Sequence, residues 1–140
     1  MLHSRIHQVL KKYHLRNTNC RSSILALFIE KDMAMSHADV EAYLSPDFDR
    51  VTLYRTLKTF LDKGLLHKVL DDTGGLKYAL CKECTETHHH HEHVHFKCVA
   101  CQRITCIDYL KIPPIALPAE YQPAEFNLLV QGLCPECSKK

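Results

Sequence analysis

Apolar positions in the first eighty residues recur first with a helical period and then with a strand period. In Leu2–His14, Leu2, Ile6, Val9, Leu10 and Tyr13 fall at helical spacing. Asn17 or Thr18 can cap a second helix, with Ile24, Leu25, Leu27, Phe28 and Ile29 as its buried side. Ser36 and Asp39 have the spacing of a capping box, with Asp in place of the usual Glu. They predict a short helix that turns Val40, Tyr43 and Leu44 inward and ends at Ser45-Pro46. Asp49 is placed to cap a fourth helix, Arg50–Lys63, with apolar positions Val51, Leu53, Tyr54, Leu57, Phe60 and Leu61 and a C′ stop at Gly64. Leu65–Leu70 and Leu76–Leu80 then predict two strands around Asp71-Asp72-Thr73-Gly74-Gly75, a hairpin turn.

Three or four short helices followed by a hairpin is the order of a winged helix-turn-helix. The third and fourth helices form the pair, and the hairpin is the wing. The second helix of such a pair lies in the DNA major groove. Its exposed face here presents Arg50, Thr52, Arg55, Lys58 and Thr59, with Tyr54 near the edge. Such side chains bond phosphates and base edges. A helical bundle that binds nothing is the plainer alternative, and the accompanying wing favours DNA. Charge alone is evenly balanced between a phosphate-binding half and a solvated lysine-rich surface. Residues 1–70 carry eleven Lys and Arg against seven acids, whereas 73–140 carry seven of each sign. A basic half attracts phosphate.

Composition narrows the class. With 140 residues and 46% hydrophobic content, the chain can build a core, which excludes disorder as its main state. No run approaches 18 apolar residues, which excludes a membrane-spanning helix. His3, Arg5 and His7 interrupt the first residues, so no secretory signal is read there and the expected location is the cytoplasm. Thiols stay reduced in that compartment, and eight cysteines then suggest metal ligands before disulfides.

From Cys81 onward the pattern changes. Cys81–His93 is polar and has no period, which predicts a linker. Val94–Lys97 and Arg103–Ile107 predict strands flanking Cys98-Val99-Ala100-Cys101. Pro113, Pro114, Pro118 and Pro123 argue against a long helix between 111 and 123. Phe126–Gln131 predicts a last strand, leading into Cys134-Pro135-Glu136-Cys137.

Three CxxC pairs result: Cys81/Cys84, Cys98/Cys101 and Cys134/Cys137. Two such pairs make a tetrahedral four-thiolate site, and zinc is the usual occupant. Spacing alone tolerates Cys81/Cys84 with Cys98/Cys101 as a tight zinc ribbon. The strands that precede the other two pairs favour Cys98/Cys101 with Cys134/Cys137, as knuckles joining sheet edges. Cys20, alone in the second helix, is expected to be a packed or surface thiol.

The run His88–His91, Glu92, His93, Val94, His95 is dense in imidazole. His93 and His95 alternate with Val94 at strand spacing and share one face, where they can grip an ion if another segment adds donors. His88–His90 are expected to be a solvated loop. His91-Glu92-His93-Val94-His95 also fits HExxH, the zinc-hydrolase pattern. That chemistry needs a helix, where i and i+4 share a face. This stretch lies between a polar loop and a strand.

Taken in order, these residues resemble the ferric uptake regulator (Fur) family of metal-responsive repressors. The carrying features are Leu10-Lys11-Lys12-Tyr13-His14-Leu15-Arg16-Asn17-Thr18 with Arg21, Val51-Thr52-Leu53-Tyr54-Arg55-Thr56-Leu57 with Gly64-Leu65-Leu66, the His cluster leading to Cys98 and Cys101, and Cys134 with Cys137. The resemblance implies an α+β chain. It has a winged-helix DNA-binding domain over residues 1–80, a His-rich hinge over 81–93 and an α/β dimerisation domain over 94–140. It implies a structural zinc on Cys98, Cys101, Cys134 and Cys137. Tyr54 and Arg55 fall on DNA-contacting positions, with Thr52 and Lys58 on the same helix. Lys12, His14, Arg16 and Arg21 fall on or beside the segment that meets phosphates and the minor groove.

The chain departs from the family where metal is sensed. Ala34 stands where a His before the third helix is usual, and His37 lies one helical turn onward. Ala79 replaces a carboxylate at the end of the wing, and Cys106 stands where an acid is common. Val94, Pro113 and Phe126 occupy auxiliary-site positions, so that site looks degraded. What remains for sensing is His67, Cys81, His93, His95 and Cys106, a soft set that favours Zn2+ over Fe2+. The expectation is a homodimeric, zinc-responsive repressor of operator DNA. Three rivals stand beside it: a sensor of iron, or of peroxide through bound iron, on the same fold; a zinc hydrolase using residues 91–95; and a zinc-ribbon interaction module.

Overall fold

A computed structural model of the chain describes residues 1–80, 93–124 and 126–140. Helix α1 (Leu2–Lys12) places Ile6 and Leu10 in the core, one turn apart. His14 follows with φ 57°, which ends the helix two residues before the predicted limit. Helix α2 (Asn19–Lys31) is central and buries Ile24, Leu25, Leu27 and Phe28. Thr18 rather than Asn17 caps it, its hydroxyl accepting from the Arg21 N–H at 3.2 Å. Helix α3 (His37–Leu44) starts with the predicted capping box. The Asp39 N–H donates to the Ser36 hydroxyl at 3.1 Å, and the Ser36 N–H to the Asp39 carboxylate at 2.9 Å.

Helix α4 (Arg50–Asp62) buries Leu53, Thr56, Leu57 and Phe60, a stripe at helical spacing. Val51, counted among the apolar positions, lies outside that stripe and is 54% exposed, and Tyr54, expected near the edge, is 50% exposed. Tyr43, also expected inward, is half exposed, with the Lys31 Nζ 4.7 Å from its ring centre. Thr56 occupies a core position because its hydroxyl donates to the Thr52 carbonyl at 2.9 Å. Cys20 Sγ lies 3.4 Å from the same hydroxyl, so this thiol is a packed one.

Gly64 takes φ 82° after α4, a left-handed stop that a side chain would strain. The wing follows as β1 (Leu66–Leu70) and β2 (Leu76–Leu80), antiparallel from Leu66↔Leu80 to Leu70↔Leu76. One Asp71 carboxylate oxygen accepts from the Thr73 and Gly75 N–H groups and closes the turn.

The remaining strands are β3 (His93–Cys98), β4 (Ile104–Lys111) and β5 (Leu128–Gly132), in the order β4-β3-β5. β3 runs antiparallel to β4 and parallel to β5. Strand limits differ from expectation. β3 begins at His93, β4 omits Arg103 and runs past Ile107 to Lys111, and β5 begins at Leu128 rather than Phe126. Residues 112–124 form no helix, in line with their prolines. A one-turn helix, α5 (Pro135–Ser138), was not anticipated.

The segment between α2 and α3 joins the two sheets. The Ala34 N–H donates to the Ile104 carbonyl at 2.8 Å, and Met35 exchanges two backbone bonds with Tyr78. Arg103 donates to the Lys31 carbonyl at 2.9 Å, a free carbonyl of the last turn of α2. Ala34, Val69, Ala79 and Ile104 pack as an apolar patch between wing and sheet. Beside it the buried Lys97 ammonium pairs with Asp72 of the wing turn.

Candidate metal centres and nucleic-acid interface

The parallel pairing of β3 and β5 brings both strands to an end on the same side. Cys98 closes β3 opposite Gly132, and the Val99 N–H donates to the Gly132 carbonyl at 2.8 Å. A Cβ on Gly132 would stand 3.2 Å from the Phe96 ring, so a larger residue would require that ring to shift by a few tenths of an ångström. After Cys98 the chain turns through Gln102 at φ 66°, whose N–H returns to the Cys98 carbonyl. The Cys134 N–H donates to Cys98 Sγ at 3.4 Å, and the Cys137 N–H to Cys134 Sγ at 3.5 Å.

The sulfurs of Cys98, Cys101, Cys134 and Cys137 consequently lie within 4.8 Å of one another. A tetrahedral zinc with sulfurs at about 2.3 Å sets them about 3.8 Å apart, so the donor set fits that ion. Backbone N–H groups of Cys101 and Cys134 pull the Cys98 thiol down to about 6, favouring the thiolate. The neighbouring sulfurs of Cys134 and Cys98 push the Cys137 thiol up to about 12. Four sulfurs so close cannot all carry charge unless a cation offsets the repulsion. The gathered pairs are those that the strand pattern favours. Cys81 and Cys84 lie outside the described residues.

A second group of donors spans the two sheets. His67 lies on β1 opposite Ala79, and His95 on β3 opposite Cys106 of β4. Their ligand atoms all lie within 4.8 Å of one another. The two Nε2 atoms are 3.0 Å apart, and the rings are 2% and 3% exposed. Tetrahedral zinc with nitrogens at about 2.05 Å places them about 3.3 Å apart, close to that separation. Of the five residues expected to sense metal, His67, His95 and Cys106 meet here. Cys81 and the His93 side chain lie outside the described residues. Ala34 and Ala79, which stand where the resemblance leads to the expectation of sensory ligands, belong to the adjoining apolar patch. His95 sits on a strand, where i and i+4 share a face but lie about 13 Å apart, too far to grip one ion as HExxH chemistry requires. His91 and Glu92 lie outside the described residues.

The residues expected at DNA lie on the helical half. Lys12, His14 and Arg16 are exposed, and Arg21 holds the loop after α1 by donating to the Arg16 carbonyl at 2.8 Å. On α4, Thr52, Tyr54, Arg55 and Lys58 are exposed along one side. The Thr52 hydroxyl donates to the Asp49 carboxylate and holds that carboxyl below the usual range. Arg50 Nε lies 3.7 Å from the Glu41 carboxylate. One further contact is not encoded in any local pattern: the His37 ring meets the Tyr54 ring edge-on, with centroids 5.9 Å apart at 76°.

Comparison with known proteins agrees with this architecture. The model of the ferric uptake regulator family matches residues 12–120. The Ferric uptake regulation protein of Staphylococcus epidermidis is 30% identical over 138 residues, covering 95% of this chain and 94% of that protein. Its Staphylococcus aureus counterpart is 29% identical over 134 residues, covering 93% of each chain. Among solved structures, holo XcZur has a TM-score of 0.73 at 20% identity, covering 98% of this chain and 99% of that one. A zinc uptake regulator complexed with zinc and DNA has a TM-score of 0.67 at 21% identity, covering 97% and 92%. The chain belongs to the ferric uptake regulator family, whose members are transcriptional regulators rather than enzymes. Among the described residues no helix is long and apolar enough to cross a membrane.

Proposed function

We propose that this protein is a zinc-responsive transcriptional repressor of metal homeostasis that binds operator DNA as a cytoplasmic homodimer. Residues 1–80 bind DNA, 81–93 act as a hinge, and 94–140 form the dimer and hold the structural zinc on Cys98, Cys101, Cys134 and Cys137. The observation that carries the zinc assignment is the meeting of His67, His95 and Cys106 between wing and sheet. One thiolate with two imidazoles is a softer set than the carboxylate and imidazole sites that suit harder ions. When bound, a divalent ion supplies the charge that holds these donors together.

His67 belongs to the wing, and its two partners belong to the sheet. Holding the three together fixes the angle of the DNA-binding half on the dimer platform. Two platforms related by a twofold axis then present two α4 helices to successive major grooves. Thr52, Tyr54, Arg55 and Lys58 serve base edges and phosphates, while Lys12, His14, Arg16 and Arg21 serve the flanking backbone. Tyr109, Leu110, Ile115, Leu128 and Val130 are apolar and exposed in the isolated chain, which supports pairing through this half. Cys81 and His93 are further donors to the same site.

A second reading has iron, or peroxide acting through iron, as the signal. The names of the staphylococcal relatives favour it. An operator-binding titration separates the two, run with zinc and with ferrous iron on protein that retains its structural zinc. The expected outcome is tight operator binding with added zinc and weak binding with iron. Iron-driven binding that survives Cys106→Ser would replace zinc with iron as the signal.

A further inference from the structure

We propose that His37 is a positioning residue for DNA readout, holding the Tyr54 ring of α4 in the pose it presents to the groove. The inference rests on the DNA-binding reading above. It comes from two rungs between α3 and α4. His37 and Glu41 lie one turn apart on α3, and Arg50 and Tyr54 lie one turn apart on α4. Glu41 meets Arg50, and His37 meets Tyr54. Residues at i and i+4 share a helix face, so α3 meets two residues one turn apart on one edge of α4.

The two rungs differ in kind. Glu41–Arg50 is an exposed ion pair 3.7 Å long, with Arg50 largely in solvent, and such pairs fix little. His37–Tyr54 is an edge-to-face ring contact, the geometry that aromatic quadrupoles favour. His37 Nε2 is buried with no hydrogen-bond partner, so packing rather than a polar contact accounts for the position of this ring. Its backbone is fixed on both sides. Ser36 and Asp39 form the capping box around it, and Met35 pairs with Tyr78 of the wing. Tyr78 of β2 lies near Tyr54, and burial first and the Tyr54 phenol second raise its pKa above the ordinary tyrosine value. Tyr54 is half exposed, so its outer edge is free for a base while its inner edge rests on a rigid support. A side chain immobilised before binding loses less rotamer freedom when it meets the groove.

The test uses the zinc-loaded full chain, a duplex that the parent selects from random DNA, and an unrelated duplex. His37→Ala should weaken the selected duplex about three- to tenfold and leave the unrelated duplex unchanged. His37→Phe, which keeps a ring there, should restore affinity to within about twofold. In a Tyr54→Ala background, His37→Ala should add no further loss. Without DNA, nuclear magnetic resonance of ring-labelled tyrosine should show Tyr54 moving toward the averaged signals of a free side chain in His37→Ala. Additive losses, failure of His37→Phe to rescue, or equal weakening of both duplexes would overturn the inference. So would unmoved Tyr54 signals in His37→Ala alongside intact selection by the parent, which leaves the DNA reading standing. A parent that selects no duplex at all would overturn the DNA reading, and this role with it.

Discussion

Cys98, Cys101, Cys134 and Cys137 gather at one end of a single sheet, whereas His67 reaches His95 and Cys106 across the junction of two sheets. The first group is all sulfur, and its members approach through neighbouring strands and tight turns. Backbone bonds hold that geometry before any donor is charged. The second group mixes sulfur with nitrogen and brings together His67 and His95, 28 positions apart, through the docking of wing on sheet. A site built within one rigid sheet cannot report how two bodies are oriented. A site whose donors belong to both bodies exists in full only in one orientation, and its occupancy is thermodynamically linked to that orientation. The difference in placement is what assigns one group to architecture and the other to signalling in the proposed scheme.

The sharpest way to break this contrast is at the four sulfurs. Cys98→Ser or Cys134→Ser should remove tightly held zinc and loosen the sheet, because structural zinc contributes on the order of 10 kcal/mol to folding. Metal analysis and thermal unfolding of the purified variants check this. Parent-like zinc content and melting would mean that the two groups have their roles exchanged.

Cys106→Ser should have a smaller and more selective effect. Losing an outer-shell partner costs 10–100-fold in metal affinity, so losing a ligand should weaken the second zinc by at least about 100-fold. The first zinc should stay bound. Chelator competition measures both, and the operator-binding midpoint should move by the same factor as the second site.

Asp72→Asn sharpens the comparison with the least disturbance. It removes the partner of buried Lys97 without touching a donor. The wing should part from the sheet more readily, raising the zinc needed for operator binding about three- to fivefold. The hydrogen bond from Lys97 holds the Asp72 carboxyl below its ordinary 3.8. A lowered carboxylate stabilises fully above its unfolded value and loses that contribution as pH falls through the folded one. Parent and variant should therefore differ throughout the neutral range and converge in strong acid. A zinc titration at two salt concentrations, where high salt narrows the difference, checks the electrostatic origin.

Much of the helical half was legible because local rules act there. The Ser36–Asp39 box, the Gly64 stop and the Asp71–Gly75 turn each depend on a few adjacent residues. Errors arose where apolar character was equated with burial. Val51 and Tyr43 are apolar or aromatic yet lie outside the core formed by Leu53, Leu57 and Phe60, and Thr56 enters that core through its backbone hydrogen bond. In the second half, CxxC spacing announced the sulfurs, and the strands chose between pairings. The one-turn helix at Pro135 carries too few residues for a period to show. The family resemblance singled out His67, but its 3.0 Å approach to His95 depends on how two sheets dock, which no local pattern encodes. His37 escaped for the same reason, since its ring meets a neighbour on another helix.

The parallel alignment of β3 with β5 has a consequence for biosynthesis. The knuckle at Cys98 and Cys101 leaves the ribosome well before Cys134 and Cys137, the strand that aligns them, and the turn that closes the clasp. Until translation passes Cys137, the nascent chain presents only part of the four-sulfur cluster. Products that stall or are clipped short of that point lack the second sulfur pair, so in the proposed scheme the ion can be fully clasped only after Cys137 has emerged.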